Sequence, residues 1–143
     1  MKTRLEPIFL ICYVVAILLG IVACNDNIDI KKDYPFSIET MPVQSGISEG
    51  ETAEIRCALK REDVYTGTEY TIRYFQSEGK GILRLDDGTT LTANDRFKLR
   101  SDTFRLYYTS ACGDGQTIDI WIEDNFGNTA TMSFTFNNTD NKE

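Results

Sequence analysis

Thr117-Ile-Asp-Ile-Trp-Ile-Glu-Asp-Asn-Phe-Gly-Asn-Thr-Ala-Thr-Met-Ser-Phe-Thr-Phe136 is the stretch on which the fold turns. Ile118, Ile120 and Ile122 recur at every second position, and so do Met132, Phe134 and Phe136, with a different residue type between each pair. A period of two puts each set on one face of an extended strand. Between the runs, Asp124-Asn-Phe-Gly-Asn128 is rich in residues that tolerate positive φ or hydrogen-bond their own backbone. The pattern predicts a β-hairpin of Thr117 to Glu123 with Thr131 to Phe136, one face inward.

The same alternation continues upstream. Glu51 to Lys60 sets Ala53, Ile55, Cys57 and Leu59 against Glu54, Arg56 and Lys60. Glu69 to Gln76 offers Tyr70, Ile72 and Tyr74 on one side, and Thr103 to Thr109 offers Phe104, Leu106 and Tyr108. Gly79 to Asp86 and Thr89 to Thr92 flank Asp87-Gly88, a pair that suits a tight hairpin turn. Tyr34 to Pro42 reads as a first strand, confined to an edge by Pro35 and Pro42. No segment carries a helical period, and no internal repeat implies a solenoid or propeller. About seven short strands in one hundred residues, ending in a strong hairpin, predict an all-β, immunoglobulin-like sandwich, with a small barrel as the alternative.

The N-terminus has a different character. Met1 to Glu6 is charged, and Pro7 to Ala23 is apolar without a single charge, the layout of a secretory signal. Ile21-Val-Ala-Cys24 closes that run and resembles the bacterial lipobox, in which the cysteine is lipidated and becomes the new N-terminus. Gly20, late in the run, argues against the competing reading of an uncleaved membrane helix. Two or three acyl chains at about 0.8 kcal/mol per buried methylene hold firmly where one would not. The expected division is a signal peptide at 1–23, lipidated Cys24 with a polar tether to residue 33, a sandwich domain at 34–137, and a disordered tail at 138–143.

Composition excludes several functions. The chain has no histidine, which removes the usual general base at neutral pH and the commonest zinc ligand. No glycine-rich loop leads into a helix to cradle phosphate. The formal charge is −7 and becomes one unit more negative when Lys2, Arg4 and Glu6 leave with the signal, so direct binding to nucleic acid is not expected. Asp86, Asp87, Asp95, Glu123 and Asp124 fall where turns want carboxylates, and nothing pairs two of them in a cleft. Neither catalytic residues, metal ligands, a cofactor nor a small-molecule substrate is expected. Cys12 leaves with the signal. Cys57 and Cys112 remain, and export permits a disulfide between them. Two free thiols are favoured, because Cys112 lies in a loop and Ser110 stands where a tyrosine would precede the second cysteine of an immunoglobulin bridge.

One outward face stands out. If Glu69 to Gln76 and Thr117 to Glu123 share a sheet, Arg73, Phe75 and Trp121 point to solvent together, and Trp and Arg are enriched where proteins bind one another. The competing reading covers Trp121 with a loop or the N-terminal strand.

Several longer matches carry a specific resemblance. They are Phe9-Leu-Ile-Cys12 through Val22-Ala-Cys24, Tyr34-Pro-Phe36, Met41-Pro-Val43, Gly50-Glu-Thr52 with Glu54-Ile-Arg56, and Tyr70-Thr-Ile-Arg-Tyr-Phe-Gln76. Asn94-Asp-Arg96, Phe104-Arg-Leu-Tyr-Tyr-Thr-Ser110 and Asp124-Asn-Phe-Gly127 complete the set. Over nearly its whole length the chain resembles the TraQ lipoproteins of conjugative transposons in Bacteroides and relatives. That resemblance implies a part in conjugal DNA transfer, an immunoglobulin-like domain, no defined active site, and partners among other proteins of the transfer apparatus. The expected location is the cell envelope, lipid-anchored (palmitate or a related acyl chain), in the outer membrane. A surface glycan-binding or adhesive lipoprotein is the alternative function.

Labelled palmitate fed to cells should enter the protein, and Cys24→Ser should abolish incorporation. Equal labelling of the two would contradict the lipobox reading.

Overall fold

The computed structural model describes residues 35–139. The signal segment, Cys24, the tether and the last residues therefore lie outside the described residues. Nine strands follow in order: β1 (Phe36–Thr40), β2 (Gly46–Ile47), β3 (Thr52–Arg61), β4 (Tyr70–Glu78), β5 (Gly81–Leu85), β6 (Phe97–Leu99), β7 (Thr103–Ser110), β8 (Gln116–Asp124) and β9 (Thr129–Asn138). The first sheet runs β1-β3-β7-β5 and the second β2-β9-β8-β4-β6. Two sheets facing each other, antiparallel except where β2 joins β9, make the all-β sandwich expected from the alternation.

Each alternating set points inward. Ala53, Ile55, Cys57 and Leu59 of β3 and Phe104, Leu106 and Tyr108 of β7 are buried, facing Tyr70, Ile72 and Tyr74 of β4 and Ile118, Ile120 and Ile122 of β8. Phe136 is fully buried, while Met132 and Phe134 of the same strand are partly buried against the core. Each large apolar side chain so buried contributes about 1.5–3 kcal/mol, against about 0–1 kcal/mol for an exposed ion pair. The inner faces, rather than the surface charges, hold the sandwich.

Two short strands escape the sequence pattern because two or three residues cannot show a period. β2 runs parallel to the end of β9, Gly46 opposite Asn137 and Ile47 opposite Asn138, so the sheet reaches Asn138, one residue past the expected domain end. The Thr139 amide adds a hydrogen bond to the Ile47 carbonyl (3.3 Å). β6 pairs with the start of β4, Leu99 opposite Tyr70.

The expected hairpin partner Thr89 to Thr92 is a correction. The Asp87-Gly88 turn forms, with Gly88 at φ 86° and the Asp87 carboxylate accepting the Thr89 amide at 2.8 Å. Beyond it only one bridge, Arg84 opposite Thr90, is made. Leu91 is buried and its amide reaches the Leu83 carbonyl at 2.9 Å; the chain then turns at Asn94 (φ 67°), whose amide bonds the Tyr74 carbonyl at 2.8 Å. The segment is thus drawn off the first sheet and delivered to the second as β6.

One side chain locks the two layers together. Tyr108 of the first sheet stacks on Phe136 of the second, centroids 5.2 Å apart and planes 5° from parallel. Its hydroxyl donates to Gln116 Oε1 (2.5 Å) and accepts from Gln76 Nε2 (2.8 Å), and Gln116 Nε2 donates to Ser110 Oγ (2.7 Å). Gly81 leaves room for this ring: a Cβ there would collide with the Tyr108 hydroxyl and ring carbons. Tyr108 is fully buried and held by stacking and two polar partners, so it cannot step aside. Gly81→Ala should therefore destabilise the domain by about 1–3 kcal/mol, the usual cost of overpacking, seen as a lower urea midpoint with an unchanged slope.

Candidate functional site

β4 and β8 lie side by side at the centre of the second sheet, and their register opposes Arg73 to Trp121 and Phe75 to Asp119. Because Ile72, Tyr74, Ile120 and Ile122 face the core, these four alternate residues face outward. Arg73, Phe75 and Trp121 thus share one face, as the alternation implied. Trp121 is half-buried on this face. The Arg73 guanidinium itself lies 4.4 Å from the ring centroid, a cation–π contact across the strand pair.

Arg73 is held from a second side. Its Nη2 lies 3.6 Å from Glu123 Oε1, two residues along the same face of β8. Arg96, in the segment leading into β6, donates through Nε to Glu123 Oε2 at 2.5 Å and through Nη2 to Oε1 at 3.4 Å. The Arg96 hydrogen bond, followed by the charges of Arg96 and Arg73, holds the Glu123 carboxyl below its ordinary range against the opposing effect of burial. Arg96 is the site residue that alternation could not find, since it lies outside any strand. Phe75 remains 42% exposed beside this cluster. The result is a preformed face: an indole capped by a guanidinium, a carboxylate bridging two arginines, and an open phenyl ring.

The remaining candidates behave differently. Cys57 and Cys112 are both free thiols. Cys57 is buried in β3 and burial pushes its thiol up to about 12, which makes it inert. Cys112, in the loop between β7 and β8, accepts the Lys80 amide at 3.2 Å. Among the carboxylates, Asp124 caps its own turn by accepting the amides of Phe126 (2.9 Å) and Asn128 (2.8 Å), whereas Glu123 lies within β8 and serves the arginine cluster instead of a turn. A groove of about 510 Å³ on the outside of the first sheet is lined by Glu39, Arg56, Lys60, Asp86 and Arg105 around Ala58. Its charges largely neutralise one another, Lys60 with Glu39 at 3.6 Å and Arg105 with nearby Glu54 at 3.2 Å. Among the described residues no three His, Cys, Asp or Glu side chains gather as a metal would require.

Comparison with known proteins agrees with this architecture. Residues 7–139 match the family described as TraQ conjugal transfer protein. The crystal structure of a conjugative transposon lipoprotein from Bacteroides eggerthii superposes with a TM-score of 0.70 at 49% identity, covering 74% of this chain and all of that one (100%). A lipoprotein from Bacteroides thetaiotaomicron, solved by NMR, gives 0.70 at 52% identity over 82% of this chain and 91% of its own. A conjugate transposon protein from Bacteroides vulgatus gives 0.67 at 45% identity, covering 82% of this chain and 97% of that one. A search of curated proteins finds no match.

The Glu123 cluster has a definite pH signature. A carboxylate whose folded pKa is depressed contributes stability that is fully present above its unfolded value near 4.3 and is lost as pH falls through the lower folded value. Wild type should therefore exceed Glu123→Gln in urea midpoint at pH 7, and the gap should close as pH falls below about 4. A gap unchanged at acid pH would refute the ion-pair geometry.

Proposed function

The chain belongs to the TraQ conjugal transfer family, and from that premise we propose that it serves as a tethered, non-catalytic binding component of the conjugative DNA-transfer apparatus. In this reading the signal at 1–23 is removed and Cys24 carries the lipid. The polar stretch to residue 33 then links the anchor, in the outer membrane, to the sandwich. The lipoprotein relatives support an envelope location anchored to a membrane.

The observation that carries the binding role is the Arg73–Trp121 pair with Phe75 beside it. These are the residue types that dominate interface energetics, and here the arginine is already ordered against the indole and Glu123, so little rotamer freedom is lost on docking. The fitting occupant is another protein of the apparatus, offering an apolar surface to Phe75 and acceptors to the arginines. A histidine-free chain supports the absence of acid–base chemistry. The glycan-binding alternative would want an open indole for a sugar to stack on, and the guanidinium occupies that position over Trp121.

Deleting the gene should lower transfer frequency without slowing growth. Complementation with Trp121→Ala or Phe75→Ala should fail to restore transfer although the protein accumulates, is lipidated and melts as a folded domain. Full restoration by both variants would remove this face from the proposal.

A further inference from the structure

A second apolar surface lies away from the Trp121 face, at one end of the sandwich. Val64 is 76% exposed, Tyr65 45% and Phe126 42%, and the two rings meet edge-on with centroids 5.7 Å apart. Val64 and Tyr65 belong to the β3–β4 loop and Phe126 to the β8–β9 turn. The two loops are stitched by Asn125: its amide bonds the Glu69 carbonyl (3.1 Å), its Nδ2 the Gly67 carbonyl (2.9 Å), and its Oδ1 accepts the Glu69 amide (3.0 Å). These bonds tie the two loops to each other beside the exposed rings.

The chain enters the domain at this same end. β1 begins at Phe36, opposite Arg61 at the end of β3, and the Phe36 ring packs edge-on against Tyr70 at 5.0 Å. Residues 25–34 separate Cys24 from Pro35. Fully extended, they reach at most about 35 Å, close to the length of the sandwich itself, whose longest strands hold 10 residues at roughly 3.3 Å each. The tether therefore joins the domain at the end that bears Val64, Tyr65 and Phe126.

We propose that Val64, Tyr65 and Phe126 form a membrane-contacting tip that dips into the lipid interface and orients the sandwich on the bilayer. The inference rests on lipidation of Cys24 as proposed above. Aliphatic and aromatic side chains suit the interfacial zone, where a tyrosine keeps its hydroxyl wet. The surrounding charges are mixed, Glu62, Asp63 and Glu69 against Arg61 and Lys98, so contact is apolar and shallow and needs no anionic lipid. The anchor makes a weak insertion effective by keeping it intramolecular. Orientation in turn leaves the β4–β8 outer face, which runs along the strands, directed sideways for a protein.

The test uses the full lipidated chain in vesicles of phosphatidylcholine with brominated acyl chains, which quench tryptophan at the interface. Trp121, the single tryptophan, provides the reference because it lies on the sheet face. Phe126→Trp should raise quenching roughly twofold or more over wild type, unchanged in high salt. Adding Val64→Ser and Tyr65→Ser, both exposed and so tolerated by the fold, should return it to the wild-type level while the melting temperature holds. Quenching of Phe126→Trp equal to wild type, with fatty acid incorporated, overturns the tip alone. Lack of fatty acid overturns the anchor and the tip with it. Shielding of the new tryptophan from aqueous iodide only when other envelope proteins are present overturns the lipid proposal in favour of a protein at this end.

Discussion

Tyr108 spans both layers of the sandwich with a ring and a hydroxyl at once. Its stacking on Phe136 ties β7 to β9, and its hydrogen bonds to Gln76 and Gln116 tie it to β4 and β8. Buried polar groups are costly unless they are paired, and this network pairs nearly all of its members, leaving Gln76 Oε1 without a protein partner. The alignment of the layers follows from that joint, because a slide of one sheet would break the stack and the hydrogen bonds together. The route of the backbone answers to it as well: β4 bulges between Gln76 and Glu78, turns, and resumes as β5 in the other sheet, with Gly81 giving way to the ring.

Surface charge plays a smaller and more local part. Lys60–Glu39 and Lys98–Glu69 are exposed pairs of the kind that contribute about 0–1 kcal/mol at most. The Arg73–Glu123–Arg96 cluster differs because Arg73 and Glu123 are partly shielded by Trp121 and by each other, so their geometry is set before any partner arrives. Recognition is the role proposed for this face, and the family to which the chain belongs is described by a transfer process rather than by a reaction.

The proposed binding face and the proposed membrane tip are separate in space and in physical character. One is a flat, charge-braced sheet surface running along β4 and β8; the other is an apolar loop pair at the end where the chain joins the domain. A protein that must meet the bilayer and another protein at the same time needs two such surfaces at an angle, and a two-layered sandwich supplies them because its loops collect at its ends and its strands expose their sides.

By itself the sequence settled what depends on neighbouring residues. A period of two identifies β3, β4, β7, β8 and β9 and their inward sets, since side-chain direction in a strand is local geometry. Asp87-Gly88 and Asp124 to Asn128 are legible as turns for the same reason. Strand pairing is not local, and so the exchange of sheets by β5 and β6, the parallel contact of β2 with β9, and the loss of Thr89 to Thr92 as a strand had to await the tertiary structure. The site divides in the same way. Arg73, Phe75 and Trp121 could be assigned to one face from alternation, whereas the guanidinium over the indole, the bridging of Glu123 to Arg96, and the meeting of Tyr65 with Phe126 join residues far apart in the chain. Only the packing of two sheets decides which distant side chains become neighbours.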